Sequence, residues 1–121
     1  MLRLMISDTQ LEVRGMPNYL IEATYSTEGT GGVAEKGGTA RRDAVEQLIA
    51  GMGGKMECFY FAFGDADVYV MTELPSDEAA AALALAINRS GSTKIRTVVL
   101  LTPEQVDAAA KMAPEYRRPG A

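Results

Sequence analysis

Glu22, Glu57, Glu73 and Arg96 each sit in an extended stretch rich in β-branched and aromatic residues, at positions that strand alternation turns to one side. Thr24, Phe61 and Tyr69 share those rows. Together they form a candidate ligand cavity of Glu22, Thr24, Glu57, Phe61, Tyr69 and Arg96. In such a cavity a guanidinium holds a carboxylate or an enolate, which assigns that role to Arg96. A desolvated carboxylate with a raised pKa can move a proton, which assigns that role to Glu22. Glu22 and Arg96 are also expected to pair, because a buried charge without a partner is too costly to keep. The plainer reading of the same set is a satisfied polar patch inside a subunit interface, and it is preferred.

The rest of the composition closes more chemistry than it opens. There is no histidine, which removes the commonest general base, the commonest zinc ligand and the usual proximal haem ligand. The single cysteine, Cys58, excludes an intramolecular disulfide and a Cys-based metal cluster within one chain. On its apolar row it reads as a buried, inert thiol. No cofactor and no metal is expected. The net charge of −4 argues against a nucleic-acid partner, and the close basic pairs Arg41-Arg42 and Arg117-Arg118 are too short to change that. No window approaches the roughly 18 consecutive apolar residues of a membrane span. Residues 1–15 carry neither an apolar h-region nor a small-residue cleavage site, so no membrane partner and a cytoplasmic location are expected. Gly32 to Thr39 approaches the P-loop pattern, but Gly38 fills the lysine position, and the segment reads as a flexible loop. An anion could sit at the helix start that follows, as at any helix N-terminus.

The elements that must position these residues are organised around Gly53 to Pro75, two β-rich runs flanking the polar break Gly64-Asp65-Ala66-Asp67. Residues 1–15 have no strand or helix period and read as a poorly ordered extension, with the compact domain over 16–112 and a frayed tail over 113–121. Asn18 to Ser26 alternates as a first strand. Five glycines between Thr27 and Gly38 leave room for a helical turn and little more. A helix capped by Thr39 then carries Val45, Leu48, Ile49 and Met52 at helical spacing. After the hairpin, Ser76 caps an Ala-rich helix with acidic residues in its first turn. Thr93 to Thr102 forms a fourth strand, and Pro103 opens a short helix capped by Thr102.

This order, βαββαβ, predicts an α+β, ferredoxin-like domain: a four-stranded antiparallel sheet with both helices on one face. Uninterrupted alternation turns Met56, Cys58 and Tyr60 toward the helices along with Ile95, Val99 and Leu101. It turns Phe59, Phe61, Phe63, Tyr69, Met71, Val98 and Leu100 outward. So much contiguous apolar surface exceeds the roughly few hundred Å² a monomer usually shows, so a second copy should cover it as a homodimer.

The chain also resembles the GYD domain family of small bacterial and archaeal proteins. The likeness rests on Tyr25, Thr27-Glu28-Gly29, Arg41 or Arg42, Gly53-Gly54-Lys55, Phe59-Tyr60, Gly64 and Asp67, Glu73-Leu74-Pro75-Ser76-Asp77-Glu78, and Arg96-Thr97 before Thr102-Pro103-Glu104. The resemblance implies a ferredoxin-like fold of the dimeric α/β-barrel type. It carries no established activity. Ala66 stands where the family signature has an aromatic ring. The expected function is a small dimeric domain that binds a metabolite or supports assembly through the open sheet face. The alternative is a cofactor-independent monooxygenase or isomerase, of the kind dimeric α/β-barrel relatives provide, acting on an aromatic or enolisable substrate in the interface.

Overall fold

Alternation of Tyr19, Ile21 and Ala23 against Leu20, Glu22 and Thr24 makes Asn18–Tyr25 a strand with one buried side, and it is β1 of the computed structural model, which describes residues 16–121. The expectation of a poorly ordered extension over 1–15 lies outside the described residues. The elements that follow are α1 (Thr27–Lys36), α2 (Gly38–Gly51), β2 (Lys55–Phe61), β3 (Val68–Glu73), α3 (Asp77–Arg89), β4 (Thr93–Leu100) and α4 (Pro103–Met112). The strands form one antiparallel sheet in the order β2-β3-β1-β4, the ferredoxin-like arrangement. Ile49 of α2 and Ala80 and Leu83 of α3 join Tyr19, Ile21, Ala23, Val68, Val70, Leu74 and Ile95 in one core, so both helices cover the same face.

Two helix caps follow the sequence. Ser76 accepts from the Ala79 N–H at 3.1 Å, and Thr102 forms a reciprocal capping box with Gln105 ahead of Pro103. Thr39 does not cap α2. The helix starts at Gly38 behind Gly37, whose φ of 89° suits only a residue without a Cβ.

The Gly-rich connection is a ten-residue helix rather than a loop with one turn. Each helical glycine costs about 1 kcal/mol against alanine, so propensity opposes α1 and its surroundings must support it. Ser26 supplies that support twice. Its side chain accepts from the Gly29 N–H at 3.1 Å, and its own N–H donates to the Ser92 carbonyl at 3.0 Å, which fastens the start of α1 to β4. Gly29 is required for this contact: a Cβ there would stand 2.2 Å from the Ser92 carbonyl oxygen.

The hairpin forms as expected, but its first strand is out of phase. Met56 pairs with Thr72 and Cys58 with Met71, so Glu57 is an extra residue on β2, a β-bulge. A one-residue slip exchanges the faces of every side chain beyond it. Phe59 and Phe61 therefore lie opposite Val70 and Val68 on the helix side, and their rings meet edge to face at 5.2 Å. Cys58 and Tyr60 turn to the open side. Cys58 is half-buried rather than buried, and Phe63 projects from the hairpin loop into solvent. On the helix side of β4 the cover gives out early: Ile95 is buried, while Val99 and Leu101 are more than half exposed.

Replacing Gly29 with alanine should lift α1 from Ser92 and destabilise the domain by about 2 kcal/mol, within the range for overpacked sites. Urea denaturation reads this directly, and an unchanged midpoint would show that α1 is not held there.

Candidate functional site

The strand registers build the open face as rows across the sheet. Cys58, Met71, Leu20 and Val98 form one row through β2, β3, β1 and β4. Tyr60, Tyr69, Glu22 and Arg96 form the next. Glu73, Asn18 and Leu100 form a third, with Lys55 opposite Glu73. An apolar row therefore runs beside a row holding two phenols, a carboxylate and a guanidinium.

Of the expected cavity residues, Glu22, Tyr69 and Arg96 come together in a single row. Thr24 lies in the next row along β1, exposed and opposite Lys94. Glu57 belongs with them only loosely, as the bulged residue at the sheet edge. Phe61 does not belong. The bulge carries it through the sheet to α2, where its ring lies 2.8 Å from where a Cβ on Gly38 would be. The expected Glu22–Arg96 ion pair is absent within the chain: the two are direct neighbours in the register, yet among the described residues Arg42–Asp43 (3.0 Å) is the one ion pair. Cys58 and Tyr60 are the residues that uninterrupted alternation missed. Beyond Glu57 the two rows, Cys58 and Tyr60 against Phe59 and Phe61, are both uncharged, so composition offered no signal for the change of phase.

Glu57 and Glu73 make the one electrostatically perturbed pair on this face. A hydrogen bond from protonated Glu73 to Glu57 raises the Glu73 pKa, and partial burial and the Glu57 charge act in the same direction, against a smaller opposing effect of Lys55. Beneath the sheet, the Tyr19 hydroxyl donates to Asp77 at 2.5 Å; burial first, then that bond and the nearby acidic charges, push its pKa up to about 12.

Asp67 closes the hairpin from the other end. Its N–H donates to the Ala23 carbonyl at 2.8 Å, and its carboxylate accepts the Tyr25 N–H at 2.7 Å, just past the last β1–β3 pair. Beside it, Ala66 is buried. The Gly64-to-Asp67 segment is thus a structural clasp on β1.

With this geometry established, comparison with known proteins gives one match. The GYD domain family model matches residues 19–110, from the start of β1 to near the end of α4. No curated protein and no solved structure matches the chain.

The carboxyl pair sets a pH dependence. Because the Glu73 pKa is higher in the folded than in the unfolded chain, its contribution to stability is full below the ordinary value of 4.5 and is lost as pH rises through the folded value. In Glu57→Gln an amide donates to a charged Glu73, so that loss should shrink and stability at pH 7 should rise. Urea midpoints measured from pH 4 to 8 check this; parallel curves for the two proteins would remove the coupling.

Proposed function

This chain belongs to the GYD domain family, and we propose that it works as a homodimeric, non-enzymatic domain assembled through the open face of its sheet. The observation that carries this reading is the apolar row Cys58, Met71, Leu20, Val98, which no element among the described residues covers; Met71 and Val98 are exposed, as is Tyr60 in the next row. Apolar area of this kind gains about 25 cal/mol per Å² when removed from water.

A second copy is the partner best matched to this surface, because the face is complementary to itself. An apolar row lies beside a row that carries both members of an unused charge pair. A two-fold axis through such a face sets apolar row against apolar row and lets Glu22 of one copy meet Arg96 of the other. Tyr69 then lies in the same enclosure as these charges. A polar cluster built this way is satisfied by assembly and needs no substrate.

α4 supports the same reading. Its capping box and N-terminal proline define it well, yet every residue of it is exposed, Val106 and Met112 included. A ten-residue helix is marginal alone in water, so a stable α4 requires packing that the described residues of its own chain do not provide. A partner subunit supplies it.

Sedimentation equilibrium tests the proposal. The wild-type chain should sediment as a dimer at micromolar concentration. Met71→Asp should weaken association by at least about tenfold, since it buries an unpaired charge in the apolar row. Phe61→Ala should lose packing under α2 and about 2 kcal/mol of stability while the dimer persists. A monomeric wild type, or Met71→Asp associating as tightly as wild type, would overturn the reading.

A further inference from the structure

On the opposite side of the sheet from the proposed dimer face, α1, α2 and the adjoining ends of β1 and β4 enclose a half-open cleft of about 350 Å³. That volume is at the lower end of small-molecule sites. Its walls are mostly apolar, with Tyr25, Val33, Ala40 and Ala44 among them, and three charged residues line it: Arg41, Lys36 and Glu28.

Arg41 is the unusual member. Its guanidinium lies over the Tyr25 ring, 5.8 Å from the centroid, and its Nε is buried without any hydrogen-bond partner. No carboxylate forms an ion pair with it among the described residues. A guanidinium nitrogen buried without a partner carries a free-energy penalty that a native structure keeps only when something offsets it. Tyr25 offsets part through its ring face. Tyr25 is itself fixed, because Asp67 holds its backbone N–H at 2.7 Å.

A second set of donors opens on the same cleft. α1, α3 and α4 begin behind Ser26, Ser76 and Thr102, each of which accepts a backbone N–H. α2 begins behind Gly37, with no side-chain cap and no acidic residue in its first turn, and both Gly37 and Ala40 line the cleft. The leading N–H groups of this 14-residue helix are therefore without a capping acceptor beside an unpaired guanidinium.

We propose that this cleft is a binding site for a small organic monocarboxylic acid with an apolar body. The carboxylate meets the Arg41 fork and the start of α2, and the body lies against Val33, Ala44 and the exposed part of Tyr25. A monoanion fits better than a phosphate dianion because the lining charges of Arg41, Lys36 and Glu28 leave one net positive charge, and Glu28 repels a second negative one.

Amide-resolved NMR titration of the full chain tests this with benzoate, benzamide and inorganic phosphate as probes. Benzoate should shift the Gly38 and Ala40 amides and the Arg41 Nε–H saturably, while benzamide leaves them in place. Arg41→Gln should weaken benzoate binding by about tenfold or more, the loss of a charge-assisted pair. Ala44→Phe, which fills the cleft from an exposed position and leaves Arg41 intact, should abolish it. Absence of saturable benzoate shifts, phosphate binding as tight as benzoate, or wild-type affinity in either variant would overturn the proposal. Both variants should sediment as wild type does, which separates this test from that of the dimer.

Discussion

Between Met56 and Cys58, β2 carries one residue more than β3 can pair with, so side chains before and after Glu57 follow opposite phases of the sheet. Met56 faces the helices, and so do Phe59 and Phe61 beyond the bulge. Uninterrupted pairing would send both rings to the open face and bring Cys58 and Tyr60 inside. Buried Thr72 stands next to this irregularity, and its hydroxyl lies 3.0 Å from the Lys55 carbonyl and 3.1 Å from that of Glu73. Either bond satisfies a hydroxyl that would otherwise cost about 1–3 kcal/mol unpaired.

The phase of β2 sets the character of both faces. Phe59 packs against the core, and Phe61 lies at its partly exposed margin beside α2, where Gly38 gives its ring room that any side chain would take away. The open face loses the two largest apolar side chains of the hairpin and keeps Leu20, Met71, Val98 and Leu100, with Tyr60 and Cys58 in their place. It is less greasy than straight alternation implies and still far from polar. Two of its charges, Glu22 and Arg96, are adjacent yet unbonded within the chain.

Most of the fold was legible in the residues, because its signals are local. Ser76 before Asp77-Glu78, Thr102 before Pro103, and Gly64 to Asp67 between two β-rich runs each announce an element end by backbone chemistry alone. Three features were not legible. α1 was hidden because its glycines argue against a helix, and what sustains it is a contact between Ser26 and Ser92, far apart in sequence. The bulge was hidden because beyond Glu57 both rows of β2 are uncharged, Cys58 and Tyr60 against Phe59 and Phe61, so neither phase looks wrong. The Arg41 cleft was hidden because Arg41 meets Tyr25 only after two helices and a strand have been assembled; in the sequence it is one half of an unremarkable basic pair. Of the expected cavity, the Glu22–Tyr69–Arg96 row survived because β1, β3 and β4 pair without slips.

β1 connects the two sides of the molecule and keeps them apart. Its odd-numbered residues from Tyr19 to Tyr25 face the helices and its even-numbered ones from Leu20 to Thr24 face outward, so a partner subunit would touch one set and a ligand in the cleft the other. Nothing but the pleat lies between them, and a strand paired on both edges does not rotate its side chains from face to face. Asp67 adds a fixed point at the end where this pairing runs out. By accepting the Tyr25 N–H beyond the Ala23–Val68 pair, it extends the order of the sheet to the floor of the cleft. The hairpin segment most recognisable in the sequence thus acts through the backbone, setting where the Tyr25 ring lies and, through that ring, where the Arg41 charge is held.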